Sequence, residues 1–251
     1  MQIFVPGTDA RMQALKAEAL ARGHTLTDAM HCESAMLPLP DSNAAAADLI
    51  VCEGKGRLLL HGRLQSQLQT ALIERGWQLK NIQEDDSYIR QNALISAEGA
   101  LYAAMQRLDC TVRGAKCAVI GYGRIGRELT RLLLALGARV HVAARREASR
   151  AQAQIDGSLA FDVNDLPLAL DGVQVLFNTV PSQIIHRQAL NMLANNALLV
   201  ELASPPYGFD MHLAKEMGFD AVLESGIPTR YAPRSAARLL MDYMEAGELH
   251  G

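Results

Sequence analysis

Three glycines spaced as G-x-G-x-x-G are the residues of this chain whose types and positions best fit a chemical role. They follow the mostly apolar run 116–120, and the residues through Leu136 continue with the pattern of a helix. In a strand–turn–helix context the first glycine permits a tight turn, the second lets the backbone approach a pyrophosphate, and the third lets the helix pack on the strand. N–H groups at the helix N-terminus add donors for an anion. The sequence predicts a dinucleotide site made of Gly121, Tyr122, Gly123, Arg124, Ile125 and Gly126; a glycine turn without a ligand and a methyltransferase loop are the alternatives.

The end of the next strand indicates which coenzyme this site takes. An NAD-specific site carries Asp or Glu about twenty residues beyond the glycines, where the carboxylate accepts hydrogen bonds from the ribose 2′-OH. Here the run 139–144 ends in Arg145 and Arg146 instead. Because guanidinium groups pair bidentately with phosphate, the 2′-phosphate of NADP is the better match. NADP is favoured, use of NAD stays open, and the alternative is that one or both arginines are solvated surface residues.

Polar loops follow three later strand candidates, at the edge where open α/β sheets bind ligands. We expect further coenzyme contacts after the fourth and fifth strands, although an Asn turn that contacts nothing is the alternative for the first of these loops. The candidate contacts are Asn178, Thr179, Val180, Pro181, Ala203 and Ser204. A third loop, 224–230, follows the sixth strand. These loops outline a cleft without naming a reaction.

Composition and charge exclude several classes of function. The 24 basic and 27 acidic residues give a net charge of −3, which offers no electrostatic reason to bind nucleic acid or an anionic membrane. Cysteines at 32, 52, 110 and 117 lack metal-site spacing, so we expect free thiols and no metal. Residues 1–7 become polar too early for a signal peptide, and no apolar run approaches membrane-spanning length. The cytoplasm is the expected location.

Alternating strand and helix patterns in the first third predict a small parallel α/β domain. We expect strands at 2–6, 24–27, 48–52, 58–61 and 77–82, with helices from Asp9 or Ala10 to Arg22 and over 64–74. Segment 38–47 fits either a loop or a short helix.

A long helix, about 87–108, carries apolar residues at i, i+4 spacing and is expected to act as a hinge helix between two domains. The predicted architecture is therefore α/β, with a doubly wound Rossmann sheet plus a smaller N-terminal α/β domain. The predicted divisions are an N-terminal domain at 1–88, a linking helix at 89–110 and a Rossmann domain at 111–230. A final helix, 231–247, is expected to pack back near the hinge.

Ordered motifs along nearly the whole chain resemble the family of dipicolinate synthase A subunits. The matching segments are Gly7-Thr-Asp9-Ala-Arg11, Asn92-Ala-Leu-Ile-Ser-Ala97-Glu98-Gly99-Ala100, Gly121-Tyr-Gly-Arg-Ile-Gly126, Val142-Ala-Ala-Arg145, Phe177-Asn-Thr-Val-Pro181, Leu202-Ala-Ser204 and Gly226-Ile-Pro228-Thr-Arg230-Tyr-Ala232-Pro233. The chain departs from the family at Ser96, where Thr is usual, at Glu201, where Asp is usual, at Pro206-Tyr207 in a glycine-rich stretch, and at Thr229-Arg230, which replaces Gly-Lys. It is also shorter between Leu37 and Leu58.

The resemblance implies oxidation of dihydrodipicolinate, or of its hydroxylated tetrahydro precursor, to dipicolinate, with NADP as hydride acceptor. It further implies a homo-oligomer and, in a spore former, a location in the mother cell; the implied partner is a flavoprotein-like B subunit. A dicarboxylate substrate needs fixed cations, for which Arg11, Arg63 and Arg230 are the candidates beside Ser204. No catalytic base is identified; His61 and Asp9 are weak candidates, because Asp9 also fits a helix cap and nothing in the sequence places a partner beside His61.

Two other functions remain as alternatives. A 2-hydroxyacid dehydrogenase shares the two-domain layout, but it needs a catalytic His late in the chain, and His141, His186, His212 and His250 lie in no matching context. A non-catalytic NADP-sensing protein that regulates a partner is the second alternative.

Overall fold

The computed structural model describes residues 1–50 and 58–248. Its strands are β1 Gln2–Phe4, β2 Thr25–Leu26, β3 Ser34–Met36, β4 Leu58–His61, β5 Gln78–Asn81, β6 Lys116–Ile120, β7 Arg139–Ala143, β8 Leu159–Phe161, β9 Val175–Asn178, β10 Leu198–Glu201 and β11 Asp220–Leu223. Its α-helices are α1 Ala10–Ala21, α2 Asn43–Ile50, α3 Ser66–Glu74, α4 Asp86–Met105, α5 Arg124–Ala135, α6 Glu147–Ile155, α7 Leu166–Ala169, α8 Arg187–Leu190, α9 Met211–Glu216, α10 Ile227–Tyr231 and α11 Pro233–Glu248. The predicted α/β class, with two parallel sheets, is confirmed.

The chain divides into two compact units. Unit 1 contains Met1–Ile95 together with the C-terminal stretch from Pro228, and unit 2 contains Ser96–Ile227. The first boundary lies inside α4 and the second inside α10. Unit 1 is therefore discontinuous in sequence, and the residues predicted to form a separate linking helix are shared between the units.

Unit 1 is built on a five-stranded parallel sheet with strand order β2-β1-β3-β4-β5. Successive side chains of a strand point to opposite faces, so each face has its own core. On one face Ile3 and Leu60 pack with Met12 and Leu15 of α1 and Leu240 of α11. On the other face the core contains Ala35, Leu59, Leu49 of α2, Leu72 of α3 and Trp77.

Unit 2 is built on a six-stranded parallel sheet with strand order β11-β10-β9-β6-β7-β8. This is the strand order of a doubly wound dinucleotide-binding sheet, with its switch point between β6 and β9. Val119, Val142 and Phe177 pack on α5 through Leu129 and Leu133. The opposite face packs on α7, α8 and α9.

The sequence predictions of individual elements agree in most places and fail in three. Residues 48–50 were predicted to begin a strand but end α2, whose first residue, Asn43, donates its backbone N–H to Oδ1 of Asp41. Residues 51 and 52 of that prediction lie outside the described residues. Strands β3 and β8, of three residues each, were not predicted. The final helix, predicted at 231–247, is observed as α11 from Pro233 to Glu248, and the separate short helix α10 before it was not predicted.

Among the described residues, no helix is both long and apolar enough to cross a lipid bilayer. Cys32, Cys110 and Cys117 are free thiols, and no group of three or more His, Cys, Asp or Glu side chains in the described ranges could hold a metal ion.

Candidate functional site

The glycine loop joins β6 to α5 at the carboxyl edge of the unit 2 sheet. Gly121 has φ +94°, a conformation that L side chains rarely adopt. A Cβ added to Gly121 would lie 2.4 Å from Oγ1 of Thr179, and one added to Gly126 would lie 2.1 Å from the carbonyl oxygen of Gly121. The first and third glycines are therefore required by close packing within the protein itself.

Gly123 has the opposite surroundings. It is exposed, it is the N-cap of α5 with φ −84°, and a Cβ added to it would meet no atom within 4 Å beyond its chain neighbours. The N-cap position offers no side-chain acceptor to the first N–H groups of the helix, so these donors remain available to an anion. Open space in front of a helix N-terminus fits a coenzyme pyrophosphate. Arg124 and Ile125 form the first turn of α5, with Arg124 exposed and Ile125 half-buried.

The Tyr122 side chain points into the protein and not toward the open side of the loop. The ring is buried, and its hydroxyl donates to Oδ2 of Asp156, 2.5 Å away, at the C-cap of α6. Burial and this hydrogen bond to a carboxylate raise the pKa of Tyr122, while the bond from Tyr122 lowers the pKa of Asp156. The pair ties the glycine loop to the end of α6, so Tyr122 offers a coenzyme only its backbone.

Arg145 and Arg146 lie directly after β7, where the sequence predicts them to meet the 2′-phosphate. Both side chains are exposed, and neither guanidinium group makes a hydrogen bond or ion pair within the described part of the chain. Arg146 is the N-cap of α6 and makes no side-chain capping bond. The structure thus leaves two unengaged cations and an uncapped helix N-terminus at the place where an NAD-specific site carries a carboxylate.

The loop after β9 packs against the glycine loop. The backbone N–H and the Oγ1 of Thr179 both donate to the carbonyl oxygen of Ile120, at 2.9 and 2.8 Å. Val180 is half-buried beside Gly121, and Pro181 is exposed. Thr179 and Val180 therefore form a wall of the predicted coenzyme site, at the switch point of the sheet.

The Asn178 side chain is buried and committed to the protein. Its Nδ2 donates to the carbonyl oxygen of Val180 at 2.9 Å and to Oε1 of Glu201 at 2.7 Å. Glu201 is fully buried and also accepts bonds from the backbone N–H groups of Ala203 and Gly208. Burial raises the pKa of the Glu201 carboxyl despite these donors. Asn178 shapes the two loops, and its carboxamide is not free to meet the nicotinamide or ribose as expected from the sequence.

Ala203 and Ser204 follow β10 in the loop that Glu201 holds. Ala203 is nearly buried, whereas Ser204 is exposed, and its carbonyl oxygen accepts a bond from the N–H of Tyr207 at 3.2 Å. Within unit 2, the loops that carry the predicted coenzyme contacts thus follow β6, β7, β9 and β10 on one edge of the sheet.

Asp9 and Arg11, from the first of the matching motifs, lie after β1 in unit 1. Asp9 is the N-cap of α1, and its Oδ1 accepts bonds from the N–H groups of Arg11 and Met12. Arg11 is only 7% exposed, its Nη2 donates to the carbonyl oxygen of Leu39 at 2.7 Å, and its buried Nε has no hydrogen-bond partner among the described residues. Asp9 acts as a cap, which was the alternative to catalysis, and Arg11 is a buried cation at the carboxyl edge of this sheet.

His61 is the last residue of β4 and Arg63 follows the strand, on the same sheet edge as Arg11. His61 is 3% exposed, its Nδ1 is 2.6 Å from the carbonyl oxygen of Gly62, and burial lowers its pKa. The neutral tautomer with a proton on Nδ1 therefore fits this contact, which leaves the lone pair on Nε2. Arg63 is exposed and donates to Oδ2 of Asp41 at 3.0 Å. Arg230 belongs to α10, is exposed, and places its Cζ 5.2 Å from the centre of the Tyr231 ring.

Several residues that organise these sites were not predicted from the sequence, namely Asp156, Glu201 as a buried acceptor, Ser42 and Arg150. Ser42 Oγ accepts the N–H of Gly62 and donates to the carbonyl oxygen of Pro38, so it joins the loops after β3 and β4. Each acts through a partner distant in sequence, and no local pattern reveals such a pair.

Comparison with known proteins agrees with this geometry. The protein-family model described as the NAD-binding domain of D-isomer-specific 2-hydroxyacid dehydrogenases matches residues 78–205. The A subunit of dipicolinate synthase from Bacillus subtilis (strain 168) is 30% identical over 187 residues, which are 74% of this chain and 63% of that relative. The chain thus spans less than two thirds of the length of this curated relative.

Solved structures share the fold over the whole chain. The crystal structure of the dipicolinate synthase A subunit from Bacillus halodurans has a TM-score of 0.82 at 24% identity and covers 98% of this chain and 96% of its own. The corresponding structure from Bacillus subtilis has a TM-score of 0.83 at 23% identity, with 100% and 96% covered. A D-lactate dehydrogenase of Treponema pallidum has a TM-score of 0.65 at 14% identity, with 97% and 94% covered.

The glycine loop, the strand order and the family match all lead to a nicotinamide coenzyme, without deciding between NAD and NADP. The chain belongs to the family defined by the NAD-binding domain of the D-isomer-specific 2-hydroxyacid dehydrogenases, and it resembles the dipicolinate synthase A subunits.

Proposed function

We propose that this protein is an NADP-dependent oxidoreductase that converts dihydrodipicolinate, or its hydroxylated tetrahydro precursor after loss of water, into dipicolinate. The observation that carries the coenzyme assignment is the pair of exposed cations after β7, Arg145 and Arg146, whose guanidinium groups make no polar contact within the described residues. The similarity to the dipicolinate synthase A subunits supports the substrate.

The chain's own residues bind and orient in this proposal. Gly123 and the first N–H groups of α5 hold the pyrophosphate, Arg145 and Arg146 hold the 2′-phosphate, and the wall at Thr179 limits where the coenzyme can lie. When bound, the oxidised nicotinamide accepts a hydride from the substrate ring while a ring proton leaves to solvent or a base. Because aromatisation favours this oxidation, orientation is the main task of the protein.

Unit 1 supplies the cations for the dicarboxylate in this proposal. Arg11 is buried beside the loop after β3, and Arg63 lies on the same sheet edge. A buried guanidinium with unused donor capacity suits a carboxylate, because its planar fork binds two oxygens at once. Arg230, which also belongs to unit 1, remains a candidate for the same ligand.

Activity tests this function directly. The purified chain is incubated with NADP and freshly generated dihydrodipicolinate, with and without a flavoprotein-like chain of the B-subunit type, and the absorbance of reduced nicotinamide is followed. We expect the signal to grow. Absence of growth under both conditions contradicts the proposal, and growth with simple 2-hydroxyacids instead favours a 2-hydroxyacid dehydrogenase. Coenzyme binding without turnover of either substrate favours the NADP-sensing protein.

Substrate contacts are tested by binding without coenzyme. Calorimetry with pyridine-2,6-dicarboxylate compares wild type with Arg11→Gln, Arg63→Gln and Arg230→Gln, and Arg75→Gln is the control because Arg75 lies at the opposite end of α3 and donates to the carbonyl oxygen of Ala71. Loss of one charge-assisted contact should weaken binding about tenfold or more. Equal affinity in all variants contradicts the assignment of these cations.

A further inference from the structure

Arg150 lies one turn into α6 and binds the backbone that carries the two coenzyme-site arginines. Its Nη1 donates to the carbonyl oxygen of Ala144 at 2.9 Å and to that of Arg145 at 2.7 Å. The same Nη1 is 2.6 Å from Oδ2 of Asp162, the residue after β8. One guanidinium nitrogen thus contacts three acceptors: two successive carbonyl oxygens of the β7–α6 loop and a carboxylate oxygen at the end of the neighbouring strand.

The loop is also anchored from its other side. The N–H of Ala144 donates to the carbonyl oxygen of Phe161 at 3.0 Å, which continues the β7–β8 ladder. The two carboxylate oxygens of Asp162 have different partners. Oδ1 accepts a hydrogen bond from the N–H of Asn164 at 3.0 Å, and Oδ2 pairs with Arg150. Ala144 and Arg145 are therefore held through N–H and carbonyl groups together, with Arg150 as the shared donor.

Arg150 is half-buried and its Nη1 is fully occupied, whereas Arg145 and Arg146 are exposed and their guanidinium groups have no partner in the described ranges. Long exposed arginines lose rotamer freedom when they bind a phosphate, so their contribution to affinity depends on the backbone being held in place beforehand. We infer that Arg150 is a positioning residue for coenzyme choice, which fixes the loop from which Arg145 and Arg146 reach the 2′-phosphate. This inference rests on the proposed preference for NADP.

A role in loop geometry is separable from a role in holding α6 together. The C-terminal end of α6 is fixed independently, through the bonds of Asp156 to Tyr122 and Gln152. Removal of Arg150 should therefore loosen the β7–α6 loop while the helix and sheet stay folded.

Two nucleotides that differ by a single group isolate the effect. Adenosine 2′,5′-bisphosphate carries the 2′-phosphate and 5′-AMP does not. The Kd of 5′-AMP divided by the Kd of the bisphosphate therefore measures recognition of that phosphate. For the wild type we expect the bisphosphate to bind about tenfold more tightly or better. For Arg150→Met we expect this ratio to fall about tenfold, with 5′-AMP affinity changed by less than about twofold.

Charge and geometry are distinguished by a second variant. Arg150→Lys keeps the positive charge, but a single ammonium group cannot reproduce the guanidinium contacts. Its ratio of Kd values should therefore be severalfold below that of the wild type and above that of Arg150→Met. Arg139→Met is the matched control, since Arg139 also donates to a backbone carbonyl, that of Gly114, but at the amino end of β7. Its ratio should equal that of the wild type.

The outcomes are distinct. If wild type binds both nucleotides equally, the NADP proposal fails, and this inference fails with it. If wild type discriminates but Arg150→Met weakens both nucleotides equally, or Arg150→Lys matches the wild type, the positioning role is overturned while the NADP proposal stands. Thermal unfolding shows whether each variant is folded. If Arg150→Met does not fold, Asp162→Asn replaces it, because this substitution removes the carboxylate that binds Arg150. A ratio of Kd values lowered by about twofold or more then supports the positioning role, and an unchanged ratio overturns it.

Discussion

Gly123 and Gly126 lie three residues apart and are glycines for opposite reasons. A side chain at Gly126 would strike the carbonyl oxygen of Gly121, whereas a side chain at Gly123 would project into open space. Glycine at 126 is therefore required for folding of the protein, whereas glycine at 123 is required only for access of the proposed ligand. Substitutions at the two positions should therefore separate stability from binding.

Gly123→Val should abolish coenzyme binding while the thermal midpoint stays close to that of wild type. A Cβ at this position meets no atom of the described residues within 4 Å beyond its chain neighbours, and a φ of −84° is allowed, but the side chain occupies the space in front of the α5 N-terminus. Calorimetric titration and thermal unfolding check the two halves. Gly126→Val is the control and should unfold at a clearly lower temperature. Retained coenzyme affinity in Gly123→Val would show that the loop does not receive the pyrophosphate.

Arg145→Asp should weaken binding of NADP far more than binding of NAD. Loss of a charge-assisted contact to the 2′-phosphate costs about 1.5–3 kcal/mol, or about 10- to 100-fold in Kd, and the new carboxylate repels the phosphate while it can accept a bond from a ribose hydroxyl. Fluorescence or calorimetric titration with both coenzymes measures the ratio. Arg187→Asp, on α8, is the control. Equal loss for both coenzymes contradicts the assignment of the 2′-phosphate to this residue.

At the scale of elements, α6 is fixed at both ends by residues of other segments. Its beginning is held through Arg150, and its end through Asp156, which accepts the Tyr122 hydroxyl from inside the glycine loop. The Nε atoms of Arg127 and Arg131 lie 3.6 and 3.9 Å from the same carboxylate. The loop proposed to hold the pyrophosphate and the helix that follows the two arginines are thus joined by one buried hydroxyl.

The stabilising effect of Asp156 should depend on pH. The bond from Tyr122, followed by the bond from Gln152 and the nearby arginines, lowers the pKa of this carboxyl in the folded state. A lowered pKa means that the contribution is complete above the unfolded pKa of about 3.9 and is lost as the pH falls through the folded value.

Urea unfolding of wild type and Asp156→Asn at a series of pH values measures this effect. We expect a difference of about 1–3 kcal/mol at neutral pH that shrinks below about pH 4. Asp171→Asn, at an exposed position, should match wild type throughout. A difference that stays constant to the lowest pH would show that the ionised carboxylate is not what stabilises this contact.

Sequence reasoning located the features whose residues are adjacent in the chain. The glycine loop, the helix after it and the two arginines after β7 follow from local types and spacing. By contrast, Asn178 was expected to face the coenzyme, and only the fold shows that Glu201 binds its carboxamide. The apolar run at 48–52 resembled a strand because periodicity cannot separate a short buried strand from a short helix. Arg150 was missed because its contacts with two backbone carbonyl groups leave no residue-type signal and its carboxylate partner, Asp162, lies after another strand.

At the scale of the whole molecule, unit 1 is assembled from two distant parts of the chain. Helix α11 packs on α1, and Leu240, Met241 and Met244 are fully buried in the core that also contains Met12 and Leu15. Arg22 adds ion pairs from the end of α1 to Asp242 and Glu245, at 2.7 and 2.8 Å. The last described helix is thus an integral part of the unit that also contains Arg11 and Arg63.

Leu240→Ala should lower the free energy of unfolding of unit 1 by about 2–5 kcal/mol, the usual cost of truncating a fully buried leucine. The single tryptophan of the chain, Trp77, is buried in unit 1, so its fluorescence reports this transition during urea unfolding. Met30→Ala is the control because Met30 is 75% exposed. An unchanged midpoint for Leu240→Ala would show that α11 contributes little to this core.

The discontinuity of unit 1 has a consequence for biosynthesis. A nascent chain emerges from the ribosome in order, so the apolar side of α1 is made first and its covering helix last, after all 132 residues of Ser96–Ile227 have been translated. The usual order, in which the N-terminal domain is completed first, is therefore reversed here: all residues of unit 2 are synthesised before unit 1 has its last helix.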